Sequence, residues 1–327
     1  MSEEKLRCLA VSGATASGKT ALAIALAERL GGEIISCDSM QIYRGMDIGT
    51  AKATREEQRR VPHHMIDILE PTEPFSAALY AEMAEKIALA IAQRGKVPIF
   101  CGGTGLYLEA VRTSRHERTV ACDTAYRAEL EEYAEKNGNE ALHALLKAVD
   151  SASAEIIHKN NRKRVIRALE IYHATGVPKS VLDGMAATEN PRLAICNFFL
   201  DLSDRELLYR RIDARVEKMM EEGLLEETAA LLKTNRLIPG TTAYAAIGYK
   251  ECIGAVLGEY PAEEAVAILK NATHHYAKRQ KTWFSAKPHI RVLADEEGKM
   301  REPDAVLEEV LKHAVPFLNG ETAEQIS

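Results

Sequence analysis

A glycine-rich segment near the start of the chain has the residue types and the spacing that bind phosphate groups. Residues 13–20 read GATASGKT and satisfy the pattern G-x-x-x-x-G-K-[ST], between an apolar stretch and a stretch with helical periodicity. In that setting backbone N–H groups surround two linked phosphates, the Lys19 ammonium adds positive charge and the Thr20 hydroxyl can bind Mg²⁺. The motif predicts a polyphosphate ligand without specifying it, and ATP is the default.

Polar residues follow two further apolar segments of the chain. Glu33 to Cys37 is followed by the sequence DSMQ, which begins at Asp38, and Val97 to Cys101 is followed by GGTGLY, which contains Thr104. Because the carboxyl ends of parallel strands share an edge with the P-loop, we expect Lys19, Asp38 and Thr104 to converge on one crevice. A carboxylate there can hold Mg²⁺ through water or act as a general base, and the residue types leave both roles open.

Strands and helices alternate over the first 113 residues. The order predicts an α/β protein with a P-loop NTPase-like, doubly wound parallel sheet as its core. The apolar segments predicted as strands are Leu6 to Ser12, Glu33 to Cys37, His64 to Ile68 and Val97 to Cys101, and a long helix is predicted from Ser76 to Arg94.

Helical segments then follow one another from residue 114 to residue 192, which predicts an inserted all-helical domain. One helix is predicted to stop near Gly138, and another to run from Arg162 to Thr175. The core is predicted to resume over residues 193–318, with residues 319–327 as a disordered tail. Its predicted elements are strands Leu193 to Leu200 and His289 to Leu293, a helix capped by Ser203, and a long helix from Pro261 through Trp283.

Composition narrows the class of protein. The 327 residues carry a formal net charge of -6, which argues against a protein that coats nucleic acid generally. Yet Lys159 to Arg167 holds five cations and no acid, which predicts a local basic patch. The six cysteines are scattered without a C-x-x-C pattern, and the chain has no long apolar run or signal peptide. We therefore expect a cytoplasmic protein without a zinc site or membrane span. Because the sequence has no sustained heptad pattern, we also expect a monomer.

Six segments of the chain together resemble one enzyme family. GATASGKT, DSMQIYRGMDIGTAK, CGGTGLY, RALEIY, IGYKE and AKRQKTWF occur in the same order as in the tRNA dimethylallyltransferases, also called the IPP transferase family, across about residues 8 to 290. The resemblance implies a P-loop core with an inserted helical domain that contacts tRNA. It also implies transfer of a dimethylallyl group from dimethylallyl diphosphate to N6 of the adenosine immediately 3′ of the anticodon, with Mg²⁺ as cofactor.

The resemblance assigns roles to individual residues at the catalytic end of the site. Asp38 would accept a proton from the adenine amino group, while Lys19 and Thr20 would assist catalysis and Thr20 would hold Mg²⁺. Ser39, Met40 and Gln41 would touch the flipped-out nucleotide, as Asp38 does. The diphosphate would be bound by Gly13, Ala14, Thr15, Ala16, Ser17, Gly18, Lys19, Thr20 and Thr104.

Further residues resemble the tRNA-contacting positions of the family. They are Thr104, Arg127, Lys163, Arg164, Arg167, Gly248, Tyr249, Lys250, Lys278, Arg279, Gln280, Lys281 and Trp283. The chain departs from the family pattern at Ala14, where proline is usual, and at His274 and His275, where an arginine is common. The first change affects the rigidity of the loop, and the second makes one cationic contact pH-dependent.

Two other functions are compatible with the P-loop. A kinase that phosphorylates a small molecule or nucleotide would use the same phosphate cradle and Mg²⁺, but it would leave the helical insertion and its basic segment unexplained. A nucleotide-dependent RNA-binding switch would bind tRNA without changing it covalently. The two are distinguished from the transferase by ADP release in the first case and by activity that survives loss of Asp38 in the second.

Overall fold

A computed structural model describes residues 4–113, 123–184 and 189–321 of the chain. The chain divides into two compact units. The first comprises Met1–Arg112 and Asn190–Ser327, and the second is Thr113–Glu189. That the second unit is a domain dedicated to tRNA stays a prediction.

The first unit is built on a six-stranded sheet in the order β3-β2-β4-β1-β5-β6, in which every neighbouring pair is parallel. The strands are β1 (Leu6–Gly13), β2 (Gly32–Ser36), β3 (His63–His64), β4 (Val97–Gly102), β5 (Leu193–Asp201) and β6 (Ile290–Leu293). A separate hairpin joins β7 (Asp295–Glu296) to β8 (Lys299–Met300).

Helices cover both faces of the sheet in this unit. They are α1 (Lys19–Leu30), α2 (Arg55–Arg60), α3 (Ala77–Gln93), α4 (Gly105–Arg112), α9 (Arg205–Glu221), α10 (Leu224–Lys233), α11 (Tyr249–Val256), α12 (Ala262–Ser285) and α13 (Pro303–Asn319).

Alternation along the strands explains the two apolar layers between sheet and helices. Successive side chains of a strand point to opposite faces. Cys8 and Ala10 of β1 therefore pack with α3, α4, α10 and α11, whereas Leu9 and Val11 pack with α1 and α13. Because both faces are covered, the strands are apolar almost throughout, as is typical of parallel sheets. The predicted doubly wound α/β fold is confirmed.

The second unit consists of helices in its described part: α5 (Thr124–Val149), α6 (Ser151–Ile156), α7 (Arg162–Thr175) and α8 (Lys179–Gly184). Its core contains Leu142 and Leu146 of α5 and Val165 and Leu169 of α7, all buried. The predicted stop near Gly138 is confirmed, because Gly138 has the non-helical angles φ 84° and ψ 165° and two helical segments of α5 meet there at a kink. Glycine permits this positive φ.

Three predicted boundaries were wrong. The strand predicted from His64 to Ile68 is confined to His63–His64, because Met65 and Asp67 have positive φ values of 61° and 54°. The helix predicted to be capped by Ser203 is capped by Asp204, whose carboxylate accepts the Leu207 N–H. The predicted tail begins too early, because Asn319 ends α13 and the Gly320 and Glu321 N–H groups donate to carbonyls of that helix. Residues 322–327 of that tail lie outside the described residues.

Within the described ranges, no helix combines the length and the apolar character that crossing a membrane requires.

Candidate active site

The P-loop connects β1 to α1, and its shape follows from its residue types. Gly18 has φ 100°, which glycine adopts without cost, and Ala16 is held at φ 62°. A Cβ atom on Gly13 would lie 2.8 Å from both the Leu200 carbonyl oxygen and the Ser17 Oγ, so only glycine fits there. The loop therefore turns tightly enough to point its backbone N–H groups into the space before α1.

Two side chains of the P-loop are prepared for an anion. The Lys19 ammonium lies back over the loop and donates to the Ala14 carbonyl at 3.2 Å. The Ser17 Oγ is buried and has no hydrogen-bond partner among the described residues. Because a buried hydroxyl without an acceptor is unfavourable, this atom fits a bound phosphate oxygen.

Gln280 of α12 holds the P-loop from the other side. Its Oε1 accepts the Thr15 N–H at 2.8 Å, and its Nε2 donates to the Gly103 carbonyl at 2.9 Å. A Cβ on Gly103 would lie 2.2 Å from that Nε2, and one on Gly105 would lie 2.2 Å from the Trp283 ring. The glycines after β4 are thus required by the close approach of α12. Gln280 is buried and links the two loops, and its assignment as a tRNA contact stays a prediction.

Asp38 and Thr104 lie at the carboxyl ends of β2 and β4. The Asp38 Oδ1 accepts the Met40 N–H at 2.9 Å, which fixes the carboxylate over its own turn. The Thr104 Oγ1 accepts the Ser39 N–H at 3.0 Å and donates to the Ser39 Oγ at 3.3 Å. The Thr104 N–H donates to the Cys37 carbonyl at 3.0 Å. The two strand ends are therefore tied together next to Asp38.

Two cavities meet at the start of α1. The smaller, of about 60 Å³, is lined by Lys19, Thr20 and Asp38 together with Gln41, Tyr276 and Gln280. The larger, of about 760 Å³, is lined by Lys19 and Thr20 together with the basic Lys52, Arg55, Arg211, Arg215 and Lys218 and the acidic Asp47, Glu57, Asp67 and Glu222. Lys19, Thr20, Ala51, Ala53 and Arg215 line both cavities. The predicted convergence of Lys19 and Asp38 is present in this geometry.

Arg211 and Arg215 are site residues that sequence reasoning missed. The Arg211 Nε donates to the Ala16 carbonyl of the P-loop at 2.8 Å. Arg215 lies four positions further along α9, so both side chains emerge on the same face of that helix. This i, i+4 spacing of arginines, on the helix that follows β5, is the signal that could have revealed them.

The charges in the cavities are partly desolvated. Burial lowers the pKa of Lys19, and the Arg215 charge lowers it further, whereas the Asp38 charge acts in the opposite direction. Burial also lowers the pKa of Arg215, again against the effect of Asp38. For Tyr276, burial raises the pKa and the Asp38 charge adds to the rise. In the smaller cavity Lys19 and Arg215 accompany the Asp38 carboxylate, so two positive charges meet one negative charge. This arrangement favours binding of a multivalent anion.

The predicted tRNA contacts on α12 have different surroundings. Lys278, Arg279 and Trp283 are exposed, and the Arg279 guanidinium lies 5.8 Å from the Tyr276 ring centroid. Lys281 instead contacts the buried Asp201 carboxylate at 2.9 Å and donates to the Leu202 carbonyl at 2.7 Å. Lys281 therefore forms an internal ion pair in this structure, and its assignment as a tRNA contact stays a prediction.

The IGYKE segment contains three further predicted tRNA contacts, which differ in their exposure. Tyr249 is fully buried, and its hydroxyl donates to the Glu227 carboxylate at 2.6 Å. Gly248 is buried as well, while the Lys250 side chain is exposed. Gly248 and Tyr249 are therefore packed at the start of α11, and the assignment of all three residues as tRNA contacts stays a prediction.

In the second unit, the basic helix α7 presents Lys163 and Arg164 to solvent, and neither makes an ion pair with any described residue. Arg167 lies 3.4 Å from the Glu170 carboxylate. Arg127 makes two hydrogen bonds to the same buried carboxylate, at 2.9 and 2.7 Å. Arg127 is therefore bound within its own unit, and its assignment as a tRNA contact stays a prediction.

A parallel sheet, a P-loop and two adjoining cavities that share Lys19 and Arg215, with Asp38 in the smaller one, define a P-loop enzyme that handles a phosphorylated substrate. A family model described as IPP transferase matches residues 41–287, and one described as isopentenyl transferase matches residues 6–67. The chain therefore belongs to the IPP transferase family of tRNA dimethylallyltransferases.

Similar proteins support this assignment over most of their length. A tRNA dimethylallyltransferase of Heliobacterium modesticaldum is 46% identical over 84% of this chain and 85% of its own. One of Geobacter metallireducens is 43% identical over 94% of this chain and 98% of its own. Among solved structures, a tRNA delta(2)-isopentenylpyrophosphate transferase of Staphylococcus epidermidis is 38% identical, with TM-score 0.69 and coverage of 96% of this chain and 100% of its own. A eukaryotic dimethylallyltransferase solved acting on tRNA has TM-score 0.82 at 25% identity and covers 97% of this chain and 81% of its own.

Proposed function

We propose that the protein transfers the dimethylallyl group of dimethylallyl diphosphate to N6 of the adenosine immediately 3′ of the anticodon in tRNA. The observation that carries this proposal is that Asp38, a candidate base, lines the same cavity as Lys19 and Arg215, which are candidate ligands of a leaving diphosphate. Family membership supports the reaction class.

The larger cavity is the better candidate for the prenyl donor. Its lining includes Lys19, Arg211 and Arg215 next to the P-loop, which match the charge of a diphosphate. It also includes Ile48 and Met219, which offer apolar contact to a branched five-carbon group. The smaller cavity, with Asp38 and Gln41, would receive the adenine.

The residues would assist both ends of the substitution. The amino nitrogen forms a bond to C1 of the dimethylallyl group as the C1–O bond breaks and diphosphate departs with the bonding electrons. Asp38 accepts the proton that the amine loses, a contribution of roughly 10²- to 10⁴-fold in typical enzymes. Lys19, Arg215 and the loop N–H groups stabilise the charge that grows on the diphosphate, and they are already oriented before the reaction begins.

The residues present fit Mg²⁺ as a cofactor. The Thr20 hydroxyl and the Asp38 carboxylate line the same cavity and are hard oxygen ligands, which Mg²⁺ prefers. The described residues contain no cluster of three or more His, Cys, Asp or Glu that could hold a metal alone. Thr20 would therefore hold Mg²⁺ jointly with diphosphate oxygens, and the ion would neutralise charge on the leaving group.

Binding of tRNA would use both basic helices. The target base must leave the anticodon stack to enter the cavity, at a cost of a few kcal/mol that contacts to the flipped base offset. Ser39, Met40 and Gln41 follow Asp38 directly, Gln41 lines the same cavity as Asp38, and the three would touch such a base. Lys278, Arg279 and Trp283 on α12, and Lys163 and Arg164 on α7, would contact RNA phosphates and bases. We propose that the enzyme acts as a monomer.

Mass spectrometry of nucleosides tests the proposal directly. An unmodified tRNA with adenosine 3′ of its anticodon would be incubated with the protein, Mg²⁺ and dimethylallyl diphosphate, and a five-carbon gain on that adenosine is expected. Isopentenyl diphosphate is the matched control, because its reacting carbon is not allylic and cannot stabilise the developing charge. Absence of any gain, with ATP hydrolysed in a parallel reaction, would instead support the kinase or the RNA-binding switch.

A further inference from the structure

The segment from Asp47 to Ala53 is held in place by a carboxylate from a distant helix. Glu227, in α10, accepts three consecutive backbone N–H groups: that of Asp47 at 3.1 Å, that of Ile48 at 3.0 Å and that of Gly49 at 3.2 Å. The Tyr249 hydroxyl donates to the same carboxylate at 2.6 Å. Successive N–H groups that converge in this way form an anion-binding concavity, and here the anion is a side chain of the protein itself.

The packing around this contact leaves no room for the segment to shift toward α11. A Cβ on Gly49 would lie 2.6 Å from the Tyr249 ring, so only glycine allows the segment to approach it. Gly248 has φ 104°, and a Cβ there would lie 3.2 Å from the Gly49 carbonyl oxygen. Gly49 and Gly248 are therefore both required by the close approach of residues 47–53 to the start of α11. In this arrangement the Tyr249 hydroxyl reaches Glu227.

The segment held by Glu227 forms part of the wall of both cavities. Ala51 and Ala53 line the larger and the smaller cavity, and Ile48 lines the larger one. The Gln41 Nε2 donates to the Thr50 and Ala51 carbonyls at 3.3 Å, which links the segment to the turn that carries Asp38. A displacement at one end of the segment would thus be passed to the residues that separate donor and acceptor.

A second tie holds the far end of the same segment. The buried Lys52 ammonium contacts the Asp47 and Asp67 carboxylates, each at 2.6 Å, and donates to the Tyr43 carbonyl at 2.8 Å. Lys52 joins the segment to neighbouring turns, whereas Glu227 joins it to the helices on the face of the sheet. Glu227 is therefore the contact that relates the cavity wall to the helical layer of the core.

We propose that Glu227 is a positioning residue, which fixes the wall formed by residues 47–53 and thereby sets the alignment of the prenyl donor with the acceptor amine. The inference rests on the proposed function for its effect on catalysis. Reacting groups must be held within a fraction of an ångström, and a misplacement of about 1 Å can cost roughly 100-fold in rate. Loss of the carboxylate would accordingly reduce turnover more than it reduces binding of tRNA.

Three variants separate positioning from general stability. Glu227→Gln keeps the size of the side chain, but it replaces one acceptor oxygen by a donor that faces N–H groups. Tyr249→Phe removes one donor and leaves the three backbone N–H groups paired. Glu226→Gln is the matched control, because Glu226 is the exposed neighbour of Glu227 on α10.

The experiment has two readouts on the full chain. Hydrogen–deuterium exchange of the amides of residues 47–53 is expected to rise in Glu227→Gln and to stay at the wild-type level in Glu226→Gln. Steady-state kinetics is expected to give a roughly 10- to 100-fold lower kcat in Glu227→Gln, with the KM for tRNA within about 2-fold, and a smaller loss of kcat in Tyr249→Phe.

Each outcome distinguishes a positioning role of Glu227 from a role in general stability. Unchanged exchange in residues 47–53, or a lower melting temperature with an unchanged kcat, would overturn the positioning role. If the wild-type chain transfers no prenyl group while exchange still rises in Glu227→Gln, the proposed function fails and the structural clamp stands.

Discussion

Cationic side chains occupy two different settings in this protein. Lys19 and Arg215 line the cavities, where burial lowers the pKa of both. Lys163 and Arg164 lie exposed on α7 of the second unit, without an ion pair to any described residue. A charge that has lost water interacts strongly with an anion at a fixed position, whereas an exposed charge is screened and acts over a distance. The first setting suits stabilisation of a leaving group, and the second suits attraction of a polyanion.

The prediction with the largest expected effect concerns Asp38, whose carboxylate lines the same cavity as the partly buried Lys19 and Arg215. Asp38→Asn keeps an oxygen that can accept the Met40 N–H, but the amide cannot take up a proton. We expect turnover to fall by roughly 10²- to 10⁴-fold, with tRNA affinity changed by no more than a few-fold. Single-turnover prenylation and filter binding would measure the two quantities. Turnover close to that of the wild type would remove Asp38 as the base and favour its alternative role near Mg²⁺.

The next prediction tests Arg215, one of the two partly buried cations. Arg215→Gln removes a charge that lines both cavities, and we expect kcat to fall by roughly 10²- to 10³-fold, as is typical when one preorganised donor to a developing anion is lost. Lys218→Gln is the matched control, because Lys218 lies on the same helix and lines only the larger cavity, with its side chain mostly exposed. An equal loss of kcat in both variants would mean that a partly buried cation contributes no more to catalysis than an exposed one.

The sequence was sufficient to predict the parts of the site that lie close together along the chain. The P-loop spans eight residues, and Asp38 and Thr104 each follow directly after an apolar strand, so topology alone brought them to one edge of the sheet. The alternation of strands with helices likewise predicted the doubly wound fold, because each element carries its own periodicity. These features depend on local residue order and on a rule of topology.

Partners that are distant along the chain could not be predicted in the same way. Lys278 and Lys281 have the same charge and lie three positions apart, yet Lys281 pairs with Asp201, eighty positions away, while Lys278 is exposed. Tyr249 was predicted to contact tRNA from its motif, but its hydroxyl is bound to Glu227. A motif shows that a residue type is required at a position. Only the packing of the folded chain shows whether that side chain contacts other residues of the protein or is exposed to a ligand.

The exposed cations should have a smaller effect that depends on salt. Replacing both Lys163 and Arg164 by Gln is expected to reduce the slope of log affinity for tRNA against log salt concentration by about 1 to 2, because each phosphate contact releases roughly one counterion. The matched control is Lys136→Gln, which removes a cation of the same unit that is paired with Glu132. A slope that is unchanged in the double variant would place the RNA away from α7.

The smallest expected effect concerns the scaffold that carries those exposed cations. Asp150 caps α6 and accepts hydrogen bonds from Ser153 N–H and from the Ser180 N–H and hydroxyl. Burial acts to raise the pKa of Asp150, but the hydrogen bonds from Ser153 and Ser180 outweigh it and lower the pKa to about 2. Asp150→Asn is expected to cost about 1 to 2 kcal/mol of stability in the second unit at neutral pH, because the amide loses the charge that strengthens these hydrogen bonds and one of the two acceptor oxygens.

The pH dependence of that stability follows from the direction of the shift. An unfolded aspartate titrates near pH 4, so the contribution of the Asp150 charge is fully present above about pH 4 and is lost as pH falls toward about 2. Thermal unfolding of the wild type and of Asp150→Asn should therefore differ at pH 7 and converge at about pH 2. Prenyl transfer at a temperature where both remain folded should be nearly equal, because Asp150 lines neither cavity. A large loss of turnover without a loss of stability would show that the second unit does more than present cations to RNA.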